Sequence, residues 1–155
     1  MSNFNGIQLA IELAVKQRDT CQKKLAMLER HSASAQGQME QLRSYSADKD
    51  AGWIDATPGV FSGELIRHHY QFMGRLQQAM GMQGEVLAQA NGQVSEARML
   101  LANAEIRLEG LNRILKLRMN AKDLLLKRRE QKQTDDFASQ QYARKRAEME
   151  QGEAR

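Results

Sequence analysis

The sequence predicts an all-α protein in which two long helices form an antiparallel coiled-coil hairpin. Aromatic residues make up only 5% of the chain and charged residues 27%, and the mean hydropathy is -0.65, so few large side chains are available for a thick core. The 155 residues include one proline, and apolar residues recur at spacings of three and four, which is typical of long helices that bury one stripe. We therefore expect a single elongated domain, with a first arm at about residues 5–44, a turn region at 45–63, a second arm at about 64–147 and a frayed tail at 148–155.

The first arm carries a seam whose positions alternate at spacings of four and three residues. These positions are Ile7, Ile11, Ala14, Arg18, Cys21, Leu25, Leu28, Ser32, Ala35, Met39 and Leu42. A repeat that averages 3.5 residues over several heptads indicates a coiled coil. Because the lone Cys21 lies in this seam, we interpret it as a small buried hydrophobic residue and not as a nucleophile or a metal ligand.

The turn region is marked by residues that break helices. Gly52, Pro58, Gly59 and Gly63 lie among several Asp and Ser residues, so the chain is expected to reverse here. Ser62 is the expected cap of the second helix. Four apolar residues could pack as a cap over the hairpin tip or carry a short helix: Trp53, Ile54, Val60 and Phe61.

The second arm repeats a large apolar residue every seven positions. The repeat consists of Met73, Met80, Leu87, Val94, Leu101, Leu108 and Leu115, with companions at Leu76, Gln83, Ala90, Ala97, Ala104, Leu111 and Arg118. Small alanines at facing positions let two helices approach closely. Glycines at 74, 81, 84 and 92 destabilise a helix, and the sequence does not decide whether the helix kinks near Gly81 to Gly84.

The two predicted arms differ in length. In an antiparallel hairpin the first arm would pair only with residues 65 to about 107 of the second. Apolar residues beyond that point would lack an internal partner, which predicts contact with another chain. They are Leu108, Leu111, Ile114, Leu115, Leu124, Leu125 and Leu126.

The excess positive charge is concentrated near the C-terminus, in KRREQKQTDDFASQQYARKR at residues 127–146. Seven Lys or Arg residues oppose three acids here, a surplus of +4 that equals the formal net charge of the chain. The segment could bind nucleic acid, form a solvated helix face or dock on a protein. Interspersed acids oppose phosphate contacts, and Phe137 and Tyr142 are five residues apart, so they form no stacking strip. A protein interface is therefore favoured over nucleic acid, which remains the rival interpretation.

Catalysis and membrane insertion are not predicted. His68 and His69 project about 100° apart on a helix, so they do not converge on a metal, and no Gly-rich phosphate loop or nucleophile constellation is present. We expect no enzyme activity and no cofactor. The opening MSNFNGIQLAIELAVKQRD lacks a positive region before its apolar residues, and no apolar run approaches about 18 residues, so neither a signal peptide nor direct membrane insertion is expected.

Both ends of the sequence resemble the flagellar FliJ family. Residues 129–132 (REQK), Asp135, Asp136, Phe137, Ala138 and Arg144 resemble the family's C-terminal pattern, and LAIELAVKQRDTCQKKLAMLE at residues 9–29 resembles its opening helix. The resemblance implies a coiled coil similar to the central stalk of rotary ATP synthases. It further implies a non-enzymatic component of the flagellar type III export apparatus, cytoplasmic and peripherally associated with the inner membrane at the flagellar base. Its implied partners are the hexameric export ATPase FliI, the export gate protein FlhA and export chaperones.

The same resemblance implies two binding surfaces. The export-ATPase surface would comprise Arg128, Arg129, Glu130, Gln131, Lys132, Asp135, Asp136 and Phe137. The export-gate surface would comprise Gln38, Leu42, Tyr45, Phe72, Leu76 and Ala79, while Lys49 and Gln83 depart from the family pattern at its edges. Spacing alone would instead place Leu42, Phe72 and Leu76 in the intramolecular seam. An equivalent stalk protein of a virulence-type secretion system is the alternative function.

Overall fold

The computed structural model describes residues 2–56 and 62–154, with only the backbone described for residues 2, 3 and 54–56. Two helices account for the described chain: α1, Ser2–Ala56, and α2, Gly63–Glu153. They pack against each other as a hairpin, and the described residues contain no strand. The predicted all-α fold is thus confirmed. Neither helix, as far as it is described, contains an apolar stretch long enough to cross a membrane.

The C-terminal ends of both helices lie further along the chain than predicted. The predicted start of the turn region at Tyr45 is wrong, because α1 continues to Ala56. The tail predicted to fray from residue 148 is helical to Glu153, and α2 passes through Gly81 to Gly84 without a break.

The start of α2 was predicted correctly. The backbone N–H of Leu65 donates to Oγ of Ser62 at 3.2 Å, and the N–H of Ile66 donates to the Ser62 carbonyl at 3.3 Å. Ser62 is therefore the N-cap, and Glu64 places a negative charge in the first turn. The rest of the predicted tip cap, Val60, Phe61 and the side chain of Ile54, lies outside the described residues.

The chain divides into two compact units, of which the larger comprises Leu13–Leu108. It contains all the buried side chains of the described residues: Ala14, Ala35, Met39, Leu76, Ala90, Val94, Ala97, Ala104 and Leu108. Each of them occupies a predicted seam position, so the buried face of each helix was predicted correctly in this unit. More than half are alanines, and alanine lets the two helix backbones approach closely.

Polar side chains at two of the predicted seam positions also join the helices of this unit. Nε2 of Gln83 donates to the Ala35 carbonyl at 2.9 Å and to Oε1 of Gln38 at 3.1 Å. Ser32 Oγ donates to Oδ1 of Asn91 at 2.6 Å. Sequence numbers rise on α1 as they fall on α2, which shows that the pairing is antiparallel.

The second unit comprises Met1–Glu12 and Glu109–Arg155. Here Nζ of Lys122 lies 5.1 Å from the centre of the Phe4 ring, and Leu111 and Leu115 are half-buried. The prediction that helix pairing stops near residue 107 is therefore wrong, because the first turn of α1 is helical and reaches Lys122. Side chains from 116 to 154 are all exposed, including the predicted partner-free Leu124, Leu125 and Leu126.

Candidate functional site

The basic run forms the first candidate surface, which we call the terminal segment, residues 127–146. It lies wholly within α2, and each of its side chains is exposed; Phe137 has 61% of its surface accessible. Within the part of the chain that the structure describes, no carboxylate comes within 4 Å of Arg128, Arg129 or Lys132. These cations are thus available to a partner.

The predicted ATPase-binding residues encircle the helix. At about 100° per residue, Arg128, Arg129 and Lys132 fall on one side together with Asp135 and Asp136. By the same rotation, Glu130 and Phe137 fall on the opposite side, and Gln131 lies between the two. Acids therefore share the basic side, and a partner that contacts the whole set must surround the helix.

The second candidate surface, which we call the tip surface, comprises Gln38, Leu42, Tyr45, Phe72 and Ala79. Tyr45 and Phe72 are 47% and 40% exposed, and their rings meet edge to face with centroids 6.1 Å apart. Gln38 is also exposed, whereas Leu42 and Ala79 are half-buried. The structure thus brings one residue of each helix together as an exposed aromatic pair.

Leu76 was predicted for the same surface but lies elsewhere. Only 7% of it is exposed, because it is one of the buried residues of the helix seam. A buried leucine offers a partner almost no contact area, so we exclude Leu76 from the tip surface. The seam interpretation that spacing favoured is correct for Leu76 and not for Phe72.

An aromatic and charged cluster next to the tip surface was missed at the sequence level. The rings of Trp53 and His69 stack with centroids 4.0 Å apart and planes 5° from parallel. Oδ1 of Asp50 lies 3.8 Å from Nε2 of His69, and Nζ of Lys49 lies 5.4 Å from the centre of the Tyr45 ring. Extending the first helix past residue 45 would have placed Tyr45, Lys49 and Trp53 at intervals of four on one face, but it would not have identified His69 as their partner on α2.

Two hollows flank Tyr45. One, of about 470 Å³, is lined by Tyr45, Asp48, Lys49, Gly52, Trp53, His69 and Phe72. The other, of about 490 Å³, is lined by Gln38, Gln41, Leu42, Tyr45 and Gln83. Lys49 and Gln83, which depart from the family pattern, therefore line the two hollows on either side of Tyr45.

Comparison with family models identifies the chain. The model described as "Flagellar FliJ protein" matches residues 7–147, a range that includes the terminal segment up to its last residue and the whole tip surface. Comparisons with curated proteins and with solved structures gave no match. Because the family model covers most of both helices, this chain belongs to the flagellar FliJ family.

Proposed function

We propose that this protein is the stalk of the flagellar export ATPase complex. Membership of the FliJ family makes it a protein associated with flagellar type III export, and proteins of this family are in general non-enzymatic. In the proposal, the terminal segment inserts into the hexameric ring of the export ATPase FliI and promotes assembly of that ring. The tip surface contacts the export gate protein FlhA, so the protein couples ring and gate.

The exposed C-terminal part of α2 is the observation that supports this function best. From Lys116 onward every described side chain of α2 is exposed, and the helix continues to Glu153. Its candidate residues lie all around the helix axis. A helix inside the lumen of a ring would be contacted from all sides, so this distribution suits such a location. Unpaired Arg129 and Lys132 can form charge-assisted hydrogen bonds with acidic groups of such a lumen.

The mixture of charges favours a protein partner over nucleic acid. Asp135 and Asp136 fall within the same half of the helix as Arg128, Arg129 and Lys132. Carboxylates among the cations repel a phosphate backbone, whereas a protein interface of complementary pattern uses both signs. The match to a flagellar family model likewise supports a flagellar system over a virulence-type one.

The gate assignment is supported by the exposed aromatic pair. Tyr45 and Phe72 combine large apolar area with few rotatable bonds, properties that are enriched at binding hot spots. We further propose that the protein escorts export chaperones and works in the cytoplasm, bound peripherally to the inner membrane at the flagellar base. The support for these last assignments is the resemblance to the family.

The ATPase assignment is tested by reversing two charges of the terminal segment. Arg129→Glu combined with Lys132→Glu should weaken pulldown of FliI by about tenfold or more, since each charge-assisted hydrogen bond contributes about 1.5–3 kcal/mol. Stimulation of the ATPase rate should fall in parallel. The matched control is Lys23→Glu with Lys24→Glu, which makes the same charge change at exposed positions of α1. Equal binding and equal ATPase rates for the two double variants would refute this surface.

A further inference from the structure

The ends of the two helices that carry the tip surface contain no fully buried side chain among the described residues. Among the described side chains, the last buried one on α1 is Met39 and the first on α2 is Leu76. Residues 40–53 and 62–75 contain only half-buried and exposed side chains. Within the described residues, these ends therefore lack a fully buried apolar seam, and contacts between half-buried side chains join them.

The last turns of α1 are also poor in intrinsic helix stability. Ser46, Asp48, Asp50 and Gly52 all have lower helix propensity than alanine, and Gly52 alone destabilises the helix by about 0.5–1 kcal/mol. The sequence accordingly predicts a helix end near residue 44, whereas α1 continues to Ala56. Contacts with α2 must supply the difference, because propensity does not.

In these turns the stack of Trp53 on His69 joins the two helices. A centroid distance of 4.0 Å and an interplanar angle of 5° are those of a full ring stack, and Asp50 lies 3.8 Å from Nε2 of the same histidine. Trp53 and His69 line the same hollow as Tyr45 and Phe72. The stack is therefore placed to fix both halves of the exposed aromatic pair.

We propose that Trp53 and His69 form an aromatic clamp that joins the ends of α1 and α2 and so positions Tyr45 and Phe72 for binding to the export gate. This inference rests on the proposed gate function of the tip surface. Trp53 and His69 are positioning residues: they hold the helix ends and leave the contact itself to the Tyr45–Phe72 pair. Without the clamp, α1 would fray back toward Leu42, its last predicted seam residue, and Tyr45 would lose its fixed distance to Phe72.

The experiment compares His69→Ala with His69→Phe, which keeps a ring able to stack on Trp53. The control is His68→Ala, because His68 is the neighbouring histidine and is exposed. Full-length variants are measured for affinity to the purified export gate protein and for amide hydrogen exchange. Trp53 is the only tryptophan of the chain, so its fluorescence reports directly on loss of the stack.

We expect His69→Ala to weaken gate binding about two- to tenfold, the range of one aromatic pair. Amides of residues 45–53 and 65–72 should exchange faster, while those of the buried seam at 90–104 stay unchanged. His69→Phe should restore both properties, and His68→Ala should alter neither.

Two results would overturn the clamp. The first is exchange at residues 45–53 in His69→Ala that equals that of His68→Ala. The second is unchanged gate binding by His69→Ala while Phe72→Ala weakens gate binding. That result would support the tip surface as the gate-binding site and refute a positioning role for His69. If Phe72→Ala also binds normally, the proposed gate function fails and the positioning role fails with it, whereas exchange still decides whether the stack holds the helix ends.

Discussion

Leu76 and Phe72 lie four residues apart on α2, and alanine substitutions at the two positions should have opposite consequences. Leu76 is buried in the seam and Phe72 is an exposed member of the tip surface. We predict that Leu76→Ala destabilises the fold and spares gate binding. Phe72→Ala should weaken gate binding and lower the stability of the fold much less.

The expected magnitudes follow from burial. Leu76→Ala removes three buried carbons at about 0.8 kcal/mol each. A two-helix seam is open at its sides, so water and neighbouring side chains can fill the gap, and the free energy of unfolding should fall by about 2–3 kcal/mol. Phe72→Ala loses mainly its edge contact with Tyr45, about 0.5–1.5 kcal/mol. For a chain of this length, each kcal/mol lowers the midpoint of thermal unfolding by about 2–4 °C.

Two assays separate the variants. Thermal unfolding followed by far-ultraviolet circular dichroism should show a drop of about 5–10 °C for Leu76→Ala and about 1–6 °C for Phe72→Ala. Pulldown of the gate protein, made well below both midpoints, should fail only for Phe72→Ala. A thermal shift for Leu76→Ala no larger than that for Phe72→Ala would refute the seam placement, and normal gate binding by Phe72→Ala would refute the tip surface.

Three further predictions concern the helices. Gly81→Ala should stabilise the protein by about 0.5–1 kcal/mol, seen as a raised thermal midpoint, because nothing lies within 4 Å of the added methyl group and α2 is continuous there; a lowered midpoint would contradict this open, regular helical site. Ser62→Ala should lose about 1 kcal/mol and speed hydrogen exchange at Leu65, with Ser62→Asp as the variant that keeps the cap; equal exchange would contradict the capping role. Ala97→Leu should destabilise the hairpin by about 1–3 kcal/mol in chemical denaturation, whereas the same change at exposed Ala102 should have little effect.

The seam was predictable because its signal is local. Apolar residues at alternating spacings of three and four determine which face of a helix is buried, and the buried Ala90, Val94 and Ala97 all occupy predicted positions. The same spacing also identified a polar position that faces α1, because Gln83 lies in the predicted seam and its amide donates to the Ala35 carbonyl. The N-cap at Ser62 is likewise a local hydrogen-bond pattern that sequence can reveal.

The end of α1 and the extent of pairing were not predictable in the same way. Gly52 and the surrounding Asp and Ser residues indicate a turn when only local propensity is considered. The helix persists because Trp53 stacks on a histidine that is 16 positions away in the chain. The contact of Phe4 with Lys122 was not predicted either, because the predicted first arm begins at about residue 5, after Phe4.

Periodicity and charge, which reside in the order of residues along one chain, sufficed to predict two helices, their buried stripe and an exposed basic end. Whether Phe72 or Leu76 faces water depended on the rotation of α2 against α1, because both residues suit an apolar seam by spacing. The same holds for the Trp53–His69 stack, which joins side chains from different helices. Such contacts exist only after the two helices have packed, so no local pattern announces them.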